Sequence, residues 1–101
     1  MAEFRRACRI EDVADGRGRA VVIDGLGLAV FRDGESIHAL LGRCPHANGV
    51  MADGWIEDGE AVCPAHRWRF KLTTGRCTTV RGQSLHRFEC EVRGEDVWVA
   101  V

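Results

Sequence analysis

The chain is a succession of short apolar and alternating runs separated by glycine-bearing turns, a pattern that favours strands over helices. The run FRRACRI (4–10) predicts a first strand. The stretch EDVADGRG that follows predicts a turn region, with one helical turn at Glu11 to Ala14. AVVID and LAVFRD are apolar runs joined around Gly25 and Gly27, and Asp33-Gly34 is a hairpin signal leading into SIHALLGR. Near the far end, LHRFECEVR and VWVAV flank Gly94-Glu95-Asp96 as a closing hairpin. No segment keeps apolar residues at helical spacing for three turns, and no internal repeat is visible. The expected class is all-β.

Between these β regions lies a segment of different character, from about Gly42 to Gly82, with a hairpin signal of its own at Asp58-Gly59. It holds two short Pro-bearing motifs, Cys44-Pro45-His46 and Cys63-Pro64-Ala65-His66. Each offers one thiolate and one imidazole from a tight turn. Structural zinc can use two sulfurs and two nitrogens, but it usually pairs its cysteines in one knuckle and its histidines in another. One Cys and one His per turn instead suits a binuclear centre of two unlike irons, with thiolates on one and imidazoles on the other.

The flanking residues sharpen this. GRCPHANGVMADGWIEDG and CPAHRWRFKLTTG resemble the two cluster-binding loops of Rieske proteins, and the resemblance extends over essentially the whole chain. It implies a Rieske fold: an antiparallel β-sandwich base carrying a small cluster-binding β subdomain at about 42–82, within one domain of residues 1–101. It also implies a [2Fe-2S] cluster, with Cys44 and Cys63 on one iron and His46 and His66 on the other. Replacing two thiolates by neutral imidazoles makes the centre less negative and raises its potential, to about -150 to +300 mV against about -400 mV for plant-type ferredoxins.

High-potential Rieske proteins carry an extra cysteine in each loop. The matching positions here are Gly49 and Ala65, so that disulfide is not expected. Their serine and tyrosine hydroxyls, which bond cluster or ligand sulfur, match Trp68 and Phe70, and the chain has no tyrosine. Fewer hydrogen bonds to sulfur lower the potential. The chain thus resembles soluble Rieske-type ferredoxins. Such carriers take electrons from a flavin-dependent NAD(P)H reductase and give them to a terminal Rieske oxygenase, without being the oxygenase themselves. The stretch FKLTTGRCTTV also resembles the small subunit of assimilatory nitrite reductase. A zinc-stabilised interaction module is the alternative from a different class.

Charge and composition narrow the partners. Fourteen basic and fifteen acidic residues give a net charge of -1, which makes no case for nucleic acid or an anionic membrane. No apolar run is long enough to span a bilayer, and the start lacks a secretory signal, so a cytoplasmic monomer is expected. An odd number of cysteines, five, argues against a disulfide framework. Cys8, Cys77 and Cys90 each fall in a stretch that reads as a strand, where a reduced thiol packs as a small hydrophobe. His38 and His86 read as structural or exposed. Arg43, Arg67 and Arg69, with Asp53, Glu57, Asp58 and Glu60, read as a solvated mixed rim. Trp55, Trp68 and Phe70 read as core or cluster-shielding residues, and Gly42, Gly49, Gly54 and Gly75 as turn glycines needing φ > 0.

Overall fold

The computed structural model describes residues 2–45 and 49–101; among these, ten strands form three antiparallel sheets. Strands β1 (Phe4–Arg9), β9 (Cys90–Arg93) and β10 (Asp96–Ala100) make the first, in the order β1-β10-β9. The second runs β2 (Gly18–Ile23), β3 (Leu26–Asp33), β4 (Ser36–Leu41), β8 (Arg87–Phe88). The third is β5 (Trp55–Glu57), β6 (Glu60–Val62) and β7 (Arg69–Lys71), in chain order.

The four-stranded sheet is the middle layer, and β3 shows why. Leu28, Ala29, Val30 and Phe31 are consecutive and all buried, so both faces of this strand are covered. Leu28 and Val30 point into a core with Val21, Ile23, Ala39, Cys8, Val97 and Val99, which joins the first two sheets as a sandwich. Ala29 and Phe31 point the other way, into a second core with Leu40, Met51, Ala61, Phe70, Leu72, Leu85 and the cysteines Cys44, Cys63 and Cys77. One continuous apolar run therefore serves two cores, which alternation alone would not have allowed.

The expected hairpins form at their turn signals. Asp24 and Gly25 (φ 51° and 82°) join β2 to β3, Asp58 and Gly59 (50° and 76°) join β5 to β6, and Gly94 (63°) begins the final hairpin. The expected helical turn is a short 3-10 turn, Ile10–Asp12, one residue earlier than the composition suggests. Two further differences stand out. LHRFECEVR is divided into β8 and β9 at Glu89, because its halves pair with different sheets. Cys77 lies outside any strand and makes only an isolated bridge to Phe70, although Cys8 and Cys90 lie in strands as expected.

The third layer is tied to the middle one by backbone. Ile56 N–H donates to the Gly16 carbonyl (3.0 Å), Leu85 N–H to the Gly75 carbonyl (2.7 Å) and Met51 N–H to the Gly42 carbonyl (2.9 Å). Arg87 adds a side-chain strap from β8, its Nε donating to the Leu72 carbonyl at 2.9 Å.

Candidate metal centre

Backbone hydrogen bonds join described residues that flank each of the two Pro-bearing motifs. In the second, Cys63 N–H donates to the Trp68 carbonyl (2.8 Å) and Arg67 N–H returns to the Cys63 carbonyl (2.9 Å). These bonds gather residues 63–68 into one compact turn, with Arg67 in the left-handed region at φ 59°. The first loop is pinned where Cys44 N–H donates to the Gly49 carbonyl (2.9 Å) and Arg43 bridges Val50.

The cysteines point inward. Cys44 is 2% exposed and Cys63 fully buried, in the core that also contains Met51, Phe70 and Leu72. They approach one another around Gly49. A Cβ built there would lie 2.5 Å from the Cys63 sulfur and 3.6 Å from the Cys44 Cβ. It would also lie 2.9 Å from the Ala65 Cβ, so the residues aligned with the extra cysteines of high-potential relatives do face each other across the two loops. His66 is exposed at the tip of its loop. The remaining candidate, His46, falls outside the described residues.

This arrangement separates sulfur from nitrogen: buried thiols at one end and an imidazole at the surface at the other. Among the described residues, no three His, Cys, Asp or Glu side chains converge on one metal position. A single tetrahedral zinc would draw Cys44, Cys63 and His66 to one point, since its ligands all lie within about 2.3 Å of it. A binuclear cluster asks only two protein ligands of each iron. The donor set and its burial gradient fit the iron–sulfur group.

Several residues have different roles from those expected. Arg69 is no solvated rim residue. Its Nε meets Glu60 Oε1 at 2.7 Å, Nη1 meets Glu57 Oε1 at 3.3 Å, and Nη2 donates to the Glu57 carbonyl at 3.1 Å, with Asp58 3.9 Å away. One guanidinium thereby locks β7 to the β5–β6 hairpin and absorbs its acidic charge. Burial pushes the Glu60 carboxyl up, but hydrogen bonds from Thr78 and Arg69 outweigh it and hold the group below the usual carboxylate range. Trp55 donates its indole N–H to Glu57 on the same strand.

Phe70 is fully buried beside the cysteines, as its shielding reading requires, and Trp68 packs half-buried against the same core. Of the glycines expected at positive φ, Gly75 is so placed, but Gly42 and Gly54 are not. They are needed for room: a Cβ on Gly54 would collide with the Val62 carbonyl, and one on Gly42 would lie 3.0 Å from the Gly27 carbonyl. Gly49 belongs with them, and its packing against the Cys63 sulfur was invisible in the sequence because it depends on how the two loops meet.

Comparison with known proteins agrees with this geometry. The pattern of the Rieske [2Fe-2S] domain matches residues 3–91. The chain is 30% identical over 93 residues to human apoptosis-inducing factor 3, covering 91% of this chain but only 15% of that protein. It is also 30% identical over 95 residues to the ferredoxin component of a naphthalene 1,2-dioxygenase system from Pseudomonas aeruginosa, covering 92% and 90% of the two chains. Among solved structures, a Mycobacterium tuberculosis protein assigned as the small subunit of an NADH-dependent nitrite reductase superposes with a TM-score of 0.92 at 26% identity, covering 100% and 96%. The ferredoxin of carbazole 1,9a-dioxygenase from Nocardioides aromaticivorans IC177 gives 0.88 at 28%, covering 96% of each.

Proposed function

From the membership of this chain in the Rieske [2Fe-2S] domain family, we propose that it is a one-electron carrier and no enzyme in its own right. It forms one domain over residues 1–101, with the cluster-binding part at about 42–82. Cys44 and Cys63 would hold one iron through thiolates at the buried end, and His46 and His66 the other through neutral imidazoles at the exposed end. When bound, the cluster supplies a couple that takes up and releases a single electron.

The observation that carries this reading is the convergence of Cys44 and Cys63 around Gly49 in a dry core, with His66 left at the surface. The chain's own residues do the rest. Phe70, Met51 and Leu72 keep water from the sulfur end. The bonds Cys63–Trp68 and Cys44–Gly49 fix the backbones of the two loops at the cysteines. His66 reaches solvent, where a partner protein can approach.

The ferredoxin relatives of dioxygenase systems support a terminal oxygenase as acceptor; a flavin-dependent NAD(P)H reductase as donor completes the reading, with the carrier acting as a cytoplasmic monomer. Among the described residues no helix is long and apolar enough to cross a membrane. The close superposition on a nitrite reductase small subunit supports a second reading, a subunit of a reductase. Anaerobic purification with iron and sulfide analysis tests the carrier itself. About two irons and two acid-labile sulfides per chain are expected, and zinc without sulfide would refute it. Reconstitution with purified reductase and oxygenase, against reductase alone with nitrite, then separates the two readings.

A further inference from the structure

Beside the first loop lies an open apolar cleft of about 330 Å³, between the β2–β3 hairpin and the turn at 50–53. Ala20, Val22, Leu26, Val50 and Ala52 line it, and among the described residues Arg43 is its only charged wall. Three of the four large hydrophobic residues most exposed among the described ones meet here: Val22 at 72%, Leu26 at 37% and Val50 at 48%. Such clustering of exposed apolar surface, in contrast to scattered single residues, marks an interaction site.

The cleft is continuous with the candidate centre. Arg43 and Val50 bridge each other across the base of the loop whose next residues, Cys44 and Gly49, share a backbone hydrogen bond. Most of the acids around it are already paired, with Asp53, exposed at the end of the 50–53 turn, an exception. Asp24, at the turn beside Leu26, is engaged by Arg5, and the hairpin acids Glu57, Asp58 and Glu60 are engaged by Arg69. Among the described residues neither Arg43 nor Arg67 has an acidic partner. Arg67 also occupies a left-handed backbone position, which a glycine adopts without strain. Strain retained at a site edge points to use of the side chain that bears it.

We propose that the cleft and these two arginines form the docking face for a redox partner protein that presents an apolar side chain flanked by carboxylates. The proposal rests on the carrier reading above and specifies the partner's chemistry. An apolar anchor enters beside Val22 and Val50, while partner carboxylates meet Arg43 on the first loop and Arg67 on the second. The partner is thereby seated against the loops that bear the ligands. Docking through one apolar anchor and two charges suits a weak, transient electron-transfer encounter, whose rate is steered by charge and weakened by salt.

The test uses the full-length holoprotein, its cluster first verified by visible spectrum and EPR. The reduced protein is mixed in stopped flow with plastocyanin, an acidic one-electron acceptor, and with cytochrome c, a basic one. At low ionic strength plastocyanin should be reduced faster, its rate falling with added salt while that of cytochrome c rises. Arg43→Gln and Arg67→Gly should each slow plastocyanin by about threefold at low salt and Arg43→Lys should restore the rate; losing a cation beside the cluster lowers the midpoint potential and so raises the driving force, which leaves a slower rate to report docking. Arg67→Gly relieves the backbone and so folds at least as well. Val22→Ser should slow plastocyanin at every salt concentration. A loaded protein that prefers cytochrome c, or whose rates ignore all three substitutions, overturns the docking face while leaving the carrier reading intact. A dimer dissolved by Val22→Ser assigns the cleft to a second copy and overturns it too. A chain with no cluster overturns both.

Discussion

A single missing methyl group lets the two loops close. Gly49 sits against the Cys63 sulfur with no space for a Cβ, so Gly49→Ala must displace either that sulfur or the loop. Iron content should fall to a minor fraction of wild type while the far-UV spectrum is kept, because the sandwich core is remote from this site. Cys44→Ser and Cys63→Ser should abolish the visible spectrum outright, since hydroxyl is a poor ligand for iron in place of thiolate. Cys8→Ser, Cys77→Ser and Cys90→Ser should keep it. Phe70→Tyr probes the electronics. It places a hydroxyl in the buried core shared with both cysteines, where a hydrogen bond to thiolate favours the electron-rich reduced state. Such bonds contribute about 1.5–3 kcal/mol, and only the difference between oxidation states counts. A rise of a few tens of millivolts in the reduction potential is therefore expected, roughly, by voltammetry; a fall would remove the reason given for a low potential.

At the scale of elements, the short hairpin of the third layer is the vulnerable piece, since three strands of three residues bury little by themselves. Gly54→Ala drives a Cβ into the Val62 carbonyl and should cost about 1–3 kcal/mol in denaturant titration. What was legible in the sequence follows from this hierarchy. Turn residues announce themselves chemically, so Asp33-Gly34, Asp58-Gly59 and the closing hairpin could be placed beforehand. The two Cys/His motifs were equally plain, because their spacing is set by local backbone. Properties that arise only when elements meet were not legible. Arg69 reads as one more exposed cation until β7 lies beside the β5–β6 hairpin. Cys77 reads as a strand residue until Phe70 claims it through a lone bridge. Gly42 and Gly54 read as turn formers, yet neighbouring carbonyls are what require them.

Across the whole molecule, the base and the third layer communicate through Arg87. Its Nε holds the Leu72 carbonyl, and its Nη2 lies 3.4 Å from His38 Nδ1 on β4. Burial, and secondarily the charge of Arg87, push the His38 imidazole below its ordinary pKa of 6.5; Asp33 opposes this weakly. The neutral form is thus the one the fold accommodates. Below about pH 6.5 the unfolded chain takes up the proton before the folded one does, so stability is full above that pH and declines as pH falls further. The thermal midpoint should drop as pH is lowered from 7 to 5, and His38→Gln should flatten that part of the decline; an unchanged slope in the variant would assign it to other groups.

The central claim is that thiolates from one side and imidazoles from the other share a binuclear cluster. Pulsed EPR of the anaerobically reduced holoprotein, with histidine labelled by nitrogen-15, tests it most directly. The expected result is a paramagnetic [2Fe-2S] signal coupled to two histidine nitrogens, with one coupling lost in His66→Cys. A cluster signal free of histidine coupling, or a protein holding zinc and no paramagnetic centre, would contradict it.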